Sequence, residues 1–209
     1  MRKIKKAFIT IGILVCIVTF HFRSMIVEMN TATEITADGV KEGDVIFRAS
    51  PSLISYLFKF GTHSNMTHCG IIVIENGKPY VLETLKTLKL TPFEKFITLG
   101  KDGKYWVKRS DKENIKIDYK DYLGRPYDED FKFDNGKFYC SELIYDIYLN
   151  QLGIELCKPK TVGDYFILGT RHIPIVKNIL NKKGFTLEQE VVVPGDIFKS
   201  EQLRLLNKD

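Results

Sequence analysis

Apolar and polar positions change their spacing along the chain, from strand-like to helix-like and back. Four short runs are rich in β-branched and aromatic side chains and predict β-strands: residues 44–48, 68–74, 80–84 and 105–108. Short helices are predicted over residues 52–60, after Pro51, and from Thr91–Pro92 onward. A further helix is predicted over residues 111–123, and a late strand over residues 191–198, interrupted at Pro194–Gly195. Strands interleaved with separate helices favour one α+β domain built on an antiparallel sheet.

Residues 140–152 carry the clearest helical pattern of the sequence. One side bears large apolar residues: Leu143, Ile144, Ile147 and Tyr148. The opposite side repeats a polar residue every fourth position, at Glu142, Asp146 and Asn150. Gly153 ends the pattern, and Cys140 is its first residue.

Asn76–Gly77 lies between two predicted strands and is a strong signal for a two-residue hairpin. With these as loop residues, Glu83 pairs with Gly70 and lies diagonally beside His68 on one face of the sheet. We expect Gly70 to leave open space over that face. A carboxylate in this position can bond one imidazole nitrogen and turn the other outward.

Cys140 supplies the complementary chemical group. At a helix start, the unpaired amides and the helix dipole favour a thiolate, and a nearby imidazolium favours it further. The same amides can stabilise an oxyanion, while a histidine can protonate a leaving amine. Thiol, imidazole and carboxylate are thus candidates for a nucleophilic site formed by Cys140, His68 and Glu83.

Four short motifs occur in an order and spacing that resemble a known family. They are Gly-Asp-Val-Ile-Phe at 43–47, Thr-His-Cys-Gly-Ile-Ile-Val at 67–73, Val-Leu-Glu-Thr at 81–84 and Tyr-Cys-Ser-Glu-Leu-Ile-Tyr at 139–145. Together they resemble the permuted papain-like amidases of the YiiX/YaeF group, within the NlpC/P60 superfamily of cysteine peptidases. The resemblance implies a circularly permuted papain-like fold, with an antiparallel sheet or half-barrel packed on helices. It also implies Cys140 as nucleophile, His68 as base and acid, and Glu83 as the residue that orients His68.

Two tyrosines join the candidate site on weaker grounds. Gly124-Arg125-Pro126-Tyr127 resembles the segment upstream of the nucleophile in NlpC/P60 enzymes, which implies that Tyr127 assists the oxyanion site. Tyr139 either lines the substrate groove or packs in the core. Cys69 departs from the family pattern, in which an aliphatic residue follows the histidine, and we expect it on the opposite face of the sheet from His68.

The N-terminal residues 1–30 have the composition of an export signal. Cations at positions 2, 3, 5 and 6 precede an apolar run over residues 7–22. No small-residue cleavage site follows, so an uncleaved signal anchor is slightly preferred over a removed signal peptide, and a buried N-terminal helix is the alternative. Residues 31–41 form a polar linker, and residues 42–209 form the hydrolase domain. We therefore expect an exported protein of the cell envelope that is tethered to the membrane by the uncleaved segment, or that is periplasmic or secreted if the segment is removed.

Charge and cysteine usage exclude several function classes. Four of the five net positive charges lie in residues 1–30, so the nearly neutral remainder argues against nucleic-acid binding. Four scattered cysteines do not make a disulfide framework. His63, His68 and Cys69 form a loose cluster without a convincing fourth metal ligand, so no metal or organic cofactor is expected.

The sequence therefore predicts an exported cysteine hydrolase that cleaves amide bonds through an acyl-enzyme. Its substrate is expected to be a peptide or acyl-amide, most simply one from the cell wall. Two alternatives stay open at this stage. One is a lipid acyl hydrolase, thioesterase or acyltransferase that uses the same residues, and the other is a non-catalytic module that binds a peptide or lipid.

Overall fold

The protein is described by a computed structural model that covers residues 32, 35–49, 64–165, 178 and 184–206. The predicted signal segment, the predicted helix over residues 52–60 and His63 lie outside these described residues. Within the described ranges, no helix is long and apolar enough to cross a membrane.

The described chain is built on a six-stranded antiparallel sheet. Its strands pair in the order β4-β3-β2-β1-β5-β8, and β6 pairs with β7 in a separate two-stranded sheet. The strands are β1 Val45–Arg48, β2 His68–Glu75, β3 Lys78–Thr84, β4 Leu88–Pro92, β5 Tyr105–Arg109, β6 Lys160–Thr161, β7 Glu190–Val191 and β8 Arg204–Leu205. An antiparallel sheet with separate helices confirms the predicted α+β class.

The hairpin between β2 and β3 has the predicted register. Ile71 pairs with Leu82, and the pairing continues to Glu75 and Lys78. Asn76 and Gly77 both have positive φ, at 51° and 74°, as a tight two-residue hairpin turn requires. This register places Glu83 and His68 on the same face of the sheet.

Gly70 does not leave open space, contrary to the prediction. A Cβ at this position would lie 2.3 Å from Val81 Cγ1 and 3.0 Å from the Leu82 carbonyl oxygen. The neighbouring strand already fills the volume that a side chain would need. Glycine is therefore required here for close packing between β2 and β3.

Among the described residues, short α-helices accompany the sheet: α1 Phe93–Thr98, α2 Cys140–Asp146 and α3 Pro194–Phe198. A π-helical segment, Ile147–Gln151, continues α2, and Gly153 follows with φ 68°. The predicted helical run over residues 140–152 is thus confirmed. Short 3₁₀ turns occur at Ala37–Gly39, Lys101–Gly103, Lys120–Tyr122 and Val162–Tyr165.

Two predicted elements are wrong. Residues 111–123 are an irregular segment with one 3₁₀ turn, because Ile117 and Tyr119 are buried at a spacing of two while their neighbours are exposed. The segment is held by remote side chains: the Ile117 N–H donates to Glu42. Residues 191–198 contain only the end of β7, because Pro194 begins α3, where its fixed φ suits a first helical turn.

Alternate strand residues build a core on each face of the sheet. Phe47 on β1 and Trp106 on β5 are paired and belong to the cluster that includes Leu143 of α2. Ile46 and Val107 are also paired and belong to the cluster on the other face, which includes Phe96 of α1. The sheet therefore separates an α1 face from an α2 face.

Candidate active site

A row of buried polar side chains crosses the α1 face of four neighbouring strands. The row is formed by Arg48 on β1, His68 on β2, Glu83 on β3 and Thr91 on β4, and all four residues are buried. Arg48 and His68 are paired directly in the register of β1 and β2. Phe96 of α1 packs against this row: its ring is stacked on His68 at 5.8 Å, and the Arg48 guanidinium lies 4.6 Å from its centroid.

Glu83, which is 0% exposed, is the centre of this row. One carboxylate oxygen lies 2.7 Å from His68 Nε2 and 3.5 Å from Arg48 Nη2. The other accepts a 2.7 Å hydrogen bond from the Thr91 hydroxyl. Burial alone would raise the pKa of Glu83, but His68 first, then Thr91 and Arg48, hold it below its ordinary value. Glu83 is therefore an ionised carboxylate with a fixed orientation.

His68 connects Glu83 to Cys140. Its Nε2 faces Glu83, and its side chain also hydrogen-bonds Cys140, so the ring nitrogen directed to the thiol is Nδ1. Burial opposes the imidazolium, but the hydrogen bonds with Cys140 and Glu83 outweigh it and raise the pKa of His68. The histidine is thus held in the orientation that a general base and acid needs.

Cys140 is the first residue of α2 and is buried. The Cys69 thiol donates a hydrogen bond to Cys140 Sγ, and this contact is the largest cause that lowers the pKa of Cys140. Burial opposes ionisation, while the hydrogen bond and charge of His68 and the Cys69 backbone N–H favour it. Together these contacts bring the pKa of Cys140 well below its ordinary value, so the site favours a thiolate–imidazolium pair.

Cys69 lies on the face of the sheet opposite His68, as strand alternation predicts. That face is the one covered by α2, and Cys69 shares its core cluster with Cys140. Burial raises the pKa of Cys69 well above its ordinary value, so it remains a thiol and can donate. Cys69, Cys140 and Cys157, the cysteines of the described chain, are all free.

Tyr127 and Tyr139 have different surroundings. Tyr127 is half-buried in the loop before α2, and burial followed by the charge of Cys140 raises its pKa, which places it in the electrostatic range of the thiolate. Tyr139 is 1% exposed, its ring lies 4.7 Å from Phe131, and its hydroxyl accepts a 3.1 Å hydrogen bond from the Val192 N–H. Tyr139 is therefore packed in the core and does not line a groove.

The first turn of α2 is anchored by further polar contacts. The Ser141 hydroxyl donates to the Val192 carbonyl at 2.8 Å, and the Tyr139 N–H donates to the Glu142 carboxyl at 3.3 Å. Burial first, and then nearby carboxylates such as Asp128, raise the pKa of Glu142 to about 8. At neutral pH Glu142 is mostly protonated, so it adds little negative charge beside a Cys140 thiolate.

The structure thus brings Cys140, His68 and Glu83 into one contact chain with Tyr127 nearby. Sequence reasoning missed the contributions of Arg48, Thr91 and Phe96, and it placed Cys69 without recognising its contact with Cys140. A charged residue at the end of the buried run 44–48 was the available signal for Arg48. Thr91 and Phe96 carried no signal, because their positions depend on β4 and α1 folding over β3.

Two similar proteins from Escherichia coli bear on the fold of this chain and on the question of a metal site. It is 33% identical over 174 residues to the uncharacterized protein YiiX of Escherichia coli (strain K12), covering 80% of this chain and 86% of YiiX. A crystal structure of "metalloprotein yiiX" from Escherichia coli O157:H7 matches with a TM-score of 0.70 and 32% identity, over 81% of this chain and 97% of that one. In the described part of this chain, no group of three His, Cys, Asp or Glu side chains has an arrangement that fits a metal ion.

A family comparison agrees with the fold and with the motifs. Residues 39–207 match the family described as "Permuted papain-like amidase enzyme, YaeF/YiiX, C92 family". The match extends well beyond the motif-bearing segment between residues 43 and 145. The chain belongs to this family of permuted papain-like amidases.

Proposed function

We propose that the protein is a cysteine amidase that cleaves amide bonds in cell-wall peptides through an acyl-enzyme. The observation that carries this proposal is the contact chain from Cys140 through His68 to Glu83. It contains a thiol with a lowered pKa, an imidazole with one nitrogen directed to it, and a carboxylate on the other nitrogen. These are the three roles that nucleophilic acyl transfer requires.

The reaction begins when the Cys140 thiolate attacks the amide carbonyl carbon. Negative charge then develops on the carbonyl oxygen, where N–H groups of the first turn of α2 and the Tyr127 hydroxyl stabilise it. The protonated Nδ1 of His68 gives its proton to the departing amine, and the C–N bond breaks to leave a thioester. His68 next takes a proton from water, the resulting hydroxide attacks the thioester, and the acid is released with the thiolate restored.

Glu83 and its partners hold the His68 ring in one orientation during these steps. The carboxylate accepts from Nε2–H, so the proton exchange with sulfur, amine and water takes place at Nδ1. Glu83 also stabilises the imidazolium that forms in each half of the cycle. Burial of this row makes the ionic contacts stronger than they would be in water.

Substrate choice is proposed from the NlpC/P60 resemblance, which favours peptides of the cell wall. The deciding experiment is product analysis by mass spectrometry after incubation with muropeptides, with acyl lipids and with buffer alone. Amide cleavage of muropeptides that disappears in Cys140→Ala supports the proposal, and cleavage that survives this substitution overturns the mechanism. Release or transfer of acyl groups from lipids alone identifies the alternative lipid-directed activity on the same residues.

Catalysis is distinguished from simple binding by the reactivity of the thiols. Dilute iodoacetamide should label Cys140 much faster than Cys69 or Cys157, because burial raises the pKa of both other thiols, that of Cys157 to about 12. His68→Ala should remove this preference. Equal labelling of Cys69, Cys140 and Cys157 in the unmodified protein would show that Cys140 is not activated and would favour a non-catalytic binding module.

We also propose that the protein is exported and held at the membrane by its N-terminal segment. The proposal rests on the cations and the apolar run within residues 1–30. Membrane fractionation of the full chain, compared with a chain beginning at residue 31, tests it. Equal recovery of both forms in the soluble fraction, together with an intact N-terminus by mass spectrometry, would refute the tether.

A further inference from the structure

We propose that Arg48 is a positioning residue of this site: its guanidinium is the counter-charge that allows Cys140 and Glu83 to be ionised together. The inference deepens the proposed function, since it assigns a new role within the same cluster. Arg48 is 3% exposed, is paired with His68 in the sheet and lies 3.5 Å from Glu83. It belongs to β1, the described strand that is farthest from Cys140 in the sequence.

The charge balance of the cluster shows why such a residue is needed. In the reactive state, Cys140 and Glu83 are anions and His68 is a cation, so these three groups alone would bury one uncompensated negative charge. Burying an unpaired charge is costly, and a group in that position protonates instead. The Arg48 guanidinium makes the four-residue cluster neutral. Burial lowers the pKa of Arg48, while the charges of Glu83 and Cys140 oppose this and favour its ionised form.

The contacts of Arg48 differ from those of an arginine that anchors structure. Arg109 on β5 donates twice to Asp44, at 2.7 Å each, and once to the Gly39 carbonyl at 2.9 Å. By contrast, the buried Arg48 Nε has no hydrogen-bond partner within the described residues, and the guanidinium packs over Phe96. Arg48 therefore acts on its neighbours chiefly through its charge, since buried structural donors are normally satisfied.

Among the described residues, the other groups that face the cluster do not supply this positive charge. Those that face Cys140 are His68 and Cys69 from β2, and Tyr127 and Tyr139 from the segment before α2. Glu83 is faced by Thr91 from β4, besides His68 and Arg48. His68 is the only other cation among these groups, and its proton moves during the proposed reaction. Arg48 is thus the constant cation of the cluster.

The experiment measures the rate of Cys140 alkylation by iodoacetamide as a function of pH, with site-resolved mass spectrometry. Arg48→Met removes the charge while keeping an apolar side chain against Phe96. The inflection for thiolate formation is expected to move up by about one pH unit, which is about tenfold slower alkylation below the inflection. Arg48→Lys keeps the charge and should stay close to the unmodified protein. Arg109→Gln is the matched control and should not move the inflection.

Each outcome decides the proposal. An unmoved inflection in Arg48→Met, an equal shift in Arg109→Gln, or an Arg48→Lys variant that behaves like Arg48→Met overturns it. If thermal melting shows that Arg48→Met does not fold, the same measurement is made on Arg48→Gln. If neither neutral variant folds, Arg48 is a structural residue and the proposal is overturned. Alkylation needs no substrate, so a shifted inflection without muropeptide cleavage would reject the proposed cell-wall substrate and leave the role of Arg48 intact.

Discussion

Glu83→Gln provides the sharpest test of the buried polar row. The substitution keeps the shape of the side chain but replaces one acceptor oxygen by an NH₂ donor and removes the negative charge. Glu83 uses both oxygens, one for His68 and one for Thr91, each at 2.7 Å. If the amide nitrogen faces His68, Nε2 must accept and the ring proton moves to Nδ1. His68 then has no lone pair for the Cys140 proton.

The expected loss of activity follows from this change of tautomer and charge. A carboxylate at hydrogen-bond distance raises an imidazole pKa by about 1–3 units, and that support disappears in the amide. Loss of the correct tautomer at the equivalent position of a hydrolase triad costs about 10⁴-fold in turnover. We therefore expect Glu83→Gln to lower kcat by about 10²–10⁴-fold, measured on the substrate that the proposed product analysis identifies.

The same substitution has a predictable cost in stability. Arg48 loses its nearest carboxylate while remaining buried, and removing one partner of a buried ion pair costs about 3–5 kcal/mol. Adding Arg48→Met to Glu83→Gln removes the buried cation that has lost its partner. We expect the double variant to regain about 2 kcal/mol relative to the sum of the single changes, within the range found for contacting residues. Its activity should remain low, because His68 still lacks its carboxylate.

Urea unfolding of the unmodified protein, Glu83→Gln, Arg48→Met and the double variant measures this coupling. Unfolding is followed by the intrinsic fluorescence of Trp106. Kinetic assays on the same samples measure the loss of activity. Two results would refute the reasoning: Glu83→Gln with activity within about threefold of the unmodified protein, or free energies of unfolding that add without coupling. The first would remove Glu83 from the mechanism, and the second would show that Arg48 and Glu83 do not interact energetically.

Three further predictions concern neighbouring residues. Because the pKa of Glu142 is raised from 4.5 to about 8 on folding, its contribution to stability is complete below pH 4.5 and is lost as pH rises through 8. Glu142→Gln should remove that part of the pH dependence of urea unfolding, at most about 5 kcal/mol. Cys69→Val removes the thiol donor and should raise the apparent pKa of Cys140, read from alkylation rates, by about one unit. Gly70→Ala should destabilise the protein by about 1–3 kcal/mol in urea, and Val81→Ala should recover part of this loss, because the new methyl group overlaps Val81 Cγ1.

Local sequence patterns were most informative where neighbours in the chain decide the structure. The Asn76–Gly77 turn and the period of two together determined that His68 and Glu83 share a face. The same reasoning failed over residues 111–123. There, Ile117 and Tyr119 are buried by contacts with remote segments, and a helical reading of the apolar positions missed their alternation.

The sequence by itself determined the hairpin register, the start of α2 at Cys140 and the family motifs, because turns, side-chain periodicity and helix starts are local properties. Only the tertiary structure decided that α2 packs against β2, so that Cys140 contacts both His68 and Cys69. It also decided that β1 lies beside β2 and carries Arg48 into the same buried row. These contacts join segments far apart in the chain, and their formation depends on the burial of shared surface rather than on any local pattern.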